Sequence, residues 1–297
     1  MNLKPELIAQ LERVLSSVEM LLPRAVKPID WATCHAANWR RHSFSGYLEP
    51  VKNSDSTTLD ELLGIEEQKT IMVNNTRQFL LGLPANNALL WGSRGTGKSS
   101  LVKALLNRFA PEGLRVIQIE KEDLVYLSEI FSAAEEQPYR FILLCDDLTF
   151  EVGELGYKML KSALDGSVYC APENVLIYVT SNRRHLLPEY ESDLLGGKYV
   201  KGELQQSEAM EEKISLSDRF GLWVAFHVFS QDRYLEAVRL CIEREARQRQ
   251  VEIPWTKDLQ MEAIQWSHDK SKRCGRTAYQ FARDWVGRYL LPFRMAG

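Results

Sequence analysis

"GSRGTGKS", Gly92 to Ser99, satisfies G-x-x-x-x-G-K-[ST] at every fixed position. It follows an apolar run, "ALLW" (88 to 91), and opens an amphipathic one, so strand, glycine-rich turn and helix stand in the order a phosphate loop needs. Glycine lets the backbone curl until successive N–H groups face phosphate oxygens, and the helix behind it presents the positive end of its dipole. The backbone from Gly92 through Ser93, Arg94, Gly95, Thr96, Gly97 and Lys98 to Ser99 and Ser100 is therefore the expected cradle for the phosphates of ATP. Lys98 is expected to reach the β and γ phosphates, and the Ser99 hydroxyl to ligate Mg2+.

Outward from this loop, short apolar runs alternate with amphipathic ones. "RVIQI" (115 to 119), "FILLCD" (141 to 146), "VLIYVTS" (175 to 181) and "LWVAFHV" (222 to 228) read as strands, with helices near 98 to 109, 122 to 134 and 153 to 164. That rhythm predicts an α/β fold, a parallel sheet with helices on both faces. Residues 186 to 214 are charged and lack a strong period, so they read as a loop or weak helix. Beyond 230 the strand pattern stops, and "QDRYLEAVRLCIEREARQRQ", "TKDLQMEAIQWSHDK" and "GRTAYQFARDWVGRYLL" read as three helices of a small C-terminal unit.

Upstream, Leu7, Ile8, Leu11, Val14, Leu15, Val18 and Leu21 recur at helical spacing, predicting a helix over 4 to 22 that ends before Pro23. Residues 28 to 54 are aromatic and irregular and read as a connector lying on the main domain, after which "LDELLGIEEQKTIMVNNTRQFLLG" returns to helical periodicity. The expected organisation is an N-terminal helical extension (1–58), an α/β nucleotide-binding domain (59–229) and a helical C-terminal unit (230–297).

Composition narrows the setting without naming a partner. With 297 residues, 45% hydrophobic and 26% charged at a formal charge of -3, the chain is an ordinary globular composition with no bulk attraction to polyanions. Cys34, Cys145, Cys170, Cys241 and Cys274 form no C-x-x-C pair, so a zinc site or disulfide framework is not expected and a reducing cytoplasm is. Acidic residues interrupt the apolar positions of the N-terminus, which argues against a signal peptide, and no apolar stretch has the length of a membrane span.

A phosphate loop holding Mg2+ also needs a carboxylate at the tip of a neighbouring strand. "FILLCDDL" supplies Asp146 for the metal and, beside it, Asp147 to polarise an attacking water. Asp147 is one methylene shorter than the glutamate more common in that role, and Glu151 is the alternative. "VLIYVTSNRRH" ends another apolar run at Asn182, whose amide is suited to a place between the γ-phosphate and the water.

Taken together, "PANNALLWGSRGTGKSSL", "CDDLTFE", "TSNRRHL", "SDRFGL" and "GRTAYQFA" resemble AAA+ P-loop ATPases over roughly residues 60 to 290, and are most similar to a bacterial group known only as a predicted ATPase of unknown function. The resemblance implies an AAA+ type sheet with a helical lid. It makes Asn182 the sensor-1 residue, Arg219 of Asp218-Arg219-Phe220 an arginine finger acting in trans in a homo-oligomeric ring such as a hexamer, and Arg276 a sensor-2 arginine, with Arg273 its nearest competitor. It also sets Leu63, Gly64 and Ile65 beside the adenine.

Weaker patterns point less far. "NWRRHSF" interleaves Trp39 and Phe44 with Arg40, Arg41 and His42, compatible with stacking on single-stranded nucleic acid, yet aromatic docking onto the core is the preferred reading. The expected activity is hydrolysis of ATP to ADP and phosphate, coupled to remodelling or loading a protein or nucleic-acid client. A nucleotide-gated scaffold with little turnover is the alternative, and a small-molecule phosphotransferase comes third.

Overall fold

The computed structural model describes residue 13 and residues 28–42, 45–52, 56–150, 154–165, 170–184, 186, 198–200, 203–205 and 216–295. Of the helix expected over 4 to 22 only Arg13, which is helical, is described; most of the loop expected over 186 to 214 lies outside the described residues, though a short antiparallel pair there, Lys198–Val200 with Glu203–Gln205, is described.

Two strands open the described chain, β1 (Ala36–His42) and β2 (Ser45–Pro50). The irregular connector expected there is thus corrected: the two strands pair with each other in antiparallel fashion, and β1 joins the main sheet in parallel. Alternation explains it, since Ala37 and Trp39 turn inward while Asn38 and Arg40 stand on the other face, and Arg41, on the face of Trp39, pairs with the buried Asp123. Trp39 packs against Tyr126 with ring centroids 5.9 Å apart, so the aromatic residue serves as an anchor on the core.

The helix expected from Leu59 is shorter than its period. Leu59–Glu61 is a single 3-10 turn capped by Thr58, Leu62 is extended, and α1 begins only at Glu66 and runs to Leu80. The apolar residues between them face the cleft described below rather than a continuous helix stripe.

From there the alternation is as expected: β3 (Ala88–Gly92), α2 (Lys98–Phe109), β4 (Leu114–Ile119), α3 (Leu127–Glu135), β5 (Arg140–Cys145), α4 (Leu155–Leu164) and β6 (Val175–Ser181). The first part of the helix expected over 122 to 134 is a 3-10 turn, Lys121–Tyr126. Numbering the short pair above as β7 and β8, β9 (Leu222–Phe226) completes the sheet in the order β2-β1-β4-β5-β6-β3-β9.

Every pairing in the sheet but β1 with β2 is parallel, and both faces are covered. Along β5, Phe141, Leu143 and Cys145 enter the core beneath α3 and α4, while Ile142 and Leu144 enter the one beneath α1 and α2. The two-residue period of a strand thus feeds two apolar layers, and that burial is what holds the strand ends in register. Consecutive strands β3 and β4 are separated by β5 and β6, so the chain reverses its winding beside β3. In open α/β sheets the crevice at the carboxyl ends of such strands is where ligands bind.

The lid is α5 (Gln231–Gln248), α6 (Lys257–Asp269) and α7 (Gly275–Met295), with a separate core of Tyr234, Val238, Ile242, Leu259, Phe281 and Val286. Ser230 and Thr256 cap the first two of these helices through their side chains. Phe229, between β9 and α5, belongs to that lid core, which ties the lid to the end of the sheet. No helix among the described residues is long and apolar enough to cross a membrane.

Candidate active site

Parallel register brings the ends of β6, β3 and β9 together, with Trp91 opposite Ser181 and Gly92 opposite Phe226. Gly92 leaves the sheet with φ +136, and a Cβ there would stand 2.0 Å from the carbonyl oxygen of Phe226. Only glycine lets the backbone turn so close to the neighbouring strand.

A cleft of 780 Å³ opens above these ends, between the loop, the segment ahead of α1 and the lid. Its lining has two chemistries. Leu62, Leu63, Ile65, Phe229, Ala237 and Cys241 form apolar walls; Arg94, Lys98, Ser99, Asp146, Asp147, Asn182 and Arg276 form an ionic floor. A planar aromatic group with a charged tail suits such a division.

Lys98, 7% exposed, donates from Nζ to the carbonyl oxygens of Gly92 (2.7 Å) and Ser93 (3.0 Å) and to Oδ1 of Asn182 (3.2 Å). Burial lowers its pKa from the usual lysine range, opposed by attraction to Asp147 and Asp146 and assisted by repulsion from Arg276 and Arg94. A cation held on carbonyl dipoles in this way is poised for a stronger anion.

Ser99 Oγ donates to Asp146 Oδ1 at 2.5 Å, and Thr180 Oγ1 donates to the same oxygen at 2.5 Å. These converging hard oxygens fit Mg2+, which commonly takes one or two protein oxygens and fills its octahedron with phosphate and water. Asp147 stands beside them in the left-handed region, φ 54, with its N–H donated to Thr180 Oγ1 at 2.9 Å. Its carboxylate accepts from Asn182 Nδ2 and, at 3.3 Å, from Arg94 Nη2.

The lid reaches the same place. Arg276 N–H donates to the Gly95 carbonyl at 3.2 Å, and Gly95, at φ +83, is so close that a Cβ would stand 2.9 Å from Cys274 Sγ and 3.0 Å from Arg276 Cβ. Arg276 lines the cleft, whereas the Arg273 guanidinium lies 3.4 Å from His268 and its carbonyl accepts from Phe229 N–H.

The sequence-predicted residues are therefore gathered unequally. Gly95, Thr96, Gly97, Lys98, Ser99, Ser100, Arg94, Asp146, Asp147, Asn182, Arg276, Leu63 and Ile65 line one cleft. Gly92 and Ser93 face it through carbonyls that hold Lys98, and Gly64 packs toward Phe229. Arg219 is not brought to this cleft; it precedes β9 at the opposite end of the strands and pairs with Asp165. Glu151 lies outside the described residues. Arg184 spreads over the rings of Trp91 and Trp223, 5.6 and 5.9 Å from their centroids, clear of the cleft lining.

Sequence reasoning missed Thr180, Phe229, Ala237, Cys241, Arg244 and Tyr279, all of which line the cleft. The alternation along "VLIYVTSN" could have shown that Thr180 shares a strand face with Asn182, but its bond to Asp146 depends on strand pairing. The lid residues approach from a separate helical unit and carry no spacing signal.

Residues 32–289 match the family described as "Protein of unknown function (DUF815)". No curated protein matches. Among solved structures, the Thermotoga maritima RuvB Holliday junction branch migration motor is similar with a TM-score of 0.51 and 16% identity over 80% of this chain and 66% of that one. A point mutant of the same motor gives 0.54 and 17% over 80% and 67%. The Aeropyrum pernix ORC1 protein in complex with DNA gives 0.51 and 14% over 77% and 61%. The fold is thus that of the AAA+ P-loop ATPases, and the chain spans just under two thirds of the first of these structures.

Proposed function

This chain belongs to the DUF815 family, and we propose that it is an AAA+ ATPase that binds ATP with Mg2+, hydrolyses it, and couples the cycle to remodelling or loading a protein or nucleic-acid client in the cytoplasm. The observation that carries the reading is the convergence of Lys98, Ser99, Asp146, Asp147, Asn182 and Arg276 on one cleft beside a complete phosphate loop. Its organisation is taken to be an N-terminal extension to about 58 that lends β1 and β2 to the main sheet, an α/β nucleotide domain to about 229 and a lid beyond it.

In the proposed reaction a water oxygen bonds to the γ-phosphorus while the bond to the β–γ bridging oxygen breaks. ADP leaves with that electron pair, and the water's proton passes to Asp147 or to the phosphate released. Lys98 and the loop amides hold the phosphates, Asn182 and Asp147 orient the water, and Arg276 reports the terminal phosphate to the lid. Ser99 and Asp146 would hold Mg2+, which neutralises charge on the β and γ oxygens when bound. Leu63 and Ile65 flank the base.

Arg219 acts on the neighbouring subunit of a homo-oligomeric ring. Support comes from its distance along the strands from its own phosphate loop and from the end position of β9 in the sheet. The kind of client is proposed by analogy with the branch migration motor and the DNA-bound protein that share the fold.

Phosphate release measured with and without Mg2+ tests the activity. Metal-dependent release that Lys98→Ala abolishes is expected; release unaffected by that substitution overturns it. A scaffold with little turnover is the second reading, favoured by the short Asp147 carboxylate already engaged by Asn182 and Arg94. Tight ATP binding with negligible release would select it.

A further inference from the structure

Arg94 is the third residue of the phosphate loop, and its side chain, unlike the loop backbone, has no part in the cradle. Its guanidinium extends over the cleft floor to Asp147 Oδ2, 3.3 Å away. The pair is open to solvent, with the side chains of Arg94 and Asp147 67% and 54% exposed. Exposed pairs of this kind contribute about 0–1 kcal/mol to stability, so the contact does little for the fold and is easily exchanged.

Its position gives it another use. Asp147 is held on three sides: Thr180 takes its N–H, Asn182 binds one carboxylate oxygen and Arg94 the other. Asn182 in turn accepts from Lys98, so loop lysine, amide, carboxylate and loop arginine form one continuous chain across the floor. In that chain the carboxylate meant for water is occupied by a cation from its own phosphate loop.

We infer that Arg94 is a γ-phosphate-reading residue in cis, which leaves Asp147 for the terminal phosphate of ATP and so frees the carboxylate to orient water only when a triphosphate is present. This rests on the reading of the cleft as an ATP site. A terminal phosphate offers a guanidinium more negative charge and more acceptors than one carboxylate already shared with Asn182. A diphosphate lacks that group, so the Arg94 and Asp147 pair persists with ADP. The chain then carries an arginine of its own at the reacting end, distinct in position from Arg219 and from Arg276 of the lid.

The test is calorimetric titration of the full-length protein with Mg2+ and either the non-hydrolysable analogue AMPPNP or ADP. Arg94→Gln is expected to weaken AMPPNP about tenfold, the worth of one charge-assisted hydrogen bond, while ADP changes less than about twofold. Asp147→Ala is expected to tighten AMPPNP, because no ion pair must open, and that gain disappears when Arg94 is also Gln. Equal weakening of both nucleotides by Arg94→Gln, no change in either, or a gain from Asp147→Ala that survives without Arg94 overturns the inference. Wild-type protein that binds neither nucleotide overturns the ATP-site reading, and this inference with it.

Discussion

Arg219 and Lys98 sit at opposite ends of two neighbouring parallel strands: Arg219 precedes β9 at Leu222, and Lys98 follows the loop that leaves β3 at Gly92. The four-residue rise from Ala88 to Gly92 alone separates those ends by about 13 Å. No side-chain rotation brings the Arg219 guanidinium to its own phosphate loop. Arg219→Ala is therefore expected to leave AMPPNP affinity unchanged and to lower turnover by about 10³-fold or more, the usual range for an arginine finger. Wild-type turnover per chain should rise with protein concentration. Concentration-independent turnover would remove the trans assignment.

Thr180 makes two bonds at once, donating to Asp146 and accepting from the Asp147 N–H. Thr180→Val keeps the shape and deletes both. Supporting groups behind a metal ligand are commonly worth 10-fold to 100-fold in metal affinity or activity, so the Mg2+ concentration for half-maximal activity should rise by about tenfold or more. An unchanged Mg2+ requirement would show Thr180 to be mere strand filling.

Much of this was legible in the sequence because the signals were local. The glycines and Lys98 of the loop, and the strand ends at Asp146 and Asn182, declare themselves by spacing and by the switch from apolar to polar residues. What escaped were non-local matters. The aromatic stretch around Trp39 looked irregular because its two strands are short and Arg41 interrupts the apolar face begun by Ala37 and Trp39, and only pairing with β4 makes it sheet. The helix expected from Leu59 breaks where Leu62 to Ile65 turn to the cleft, a tertiary demand that periodicity cannot carry. Thr180 and the lid residues of the cleft are set by contacts across long sequence separations.

The two close approaches of the loop make opposite demands on stability. At Gly92 a Cβ meets strand backbone, 2.0 Å from the Phe226 carbonyl oxygen, whereas at Gly95 it meets lid side chains. Gly92→Ala should lower unfolding stability by at least the about 1–3 kcal/mol of a residue forced into a sparsely populated backbone region. In Gly95→Ala the lid moves before the core does, so the loss should appear mainly as faster hydrogen exchange at the start of α7. Urea midpoints equal to wild type for Gly92→Ala would contradict the close packing of loop on β9.

Burial holds the Lys98 pKa below that of an ordinary lysine in the free protein, and a bound polyanion favours the charged form. Nucleotide binding must then take up a proton as pH rises through the depressed value. The affinity for AMPPNP should fall on the alkaline side, beginning below the usual lysine range, and the binding enthalpy should vary with buffer ionisation heat. The same depressed pKa means that Lys98 weighs against folding while charged, and that this cost is relieved as pH rises from its folded toward its unfolded pKa. Affinity flat up to the normal lysine range would contradict the assignment.

Mixing two inactive proteins tests the composite site most directly. Lys98→Ala subunits keep Arg219 but cannot hold the triphosphate; Arg219→Ala subunits keep the cleft but offer no arginine to a neighbour. If one subunit's arginine completes another's cleft, the mixture should release phosphate from ATP although neither protein does so alone. A mixture as inactive as its parts, with wild-type protein hydrolysing under the same conditions and mixed oligomers verified, would contradict the account.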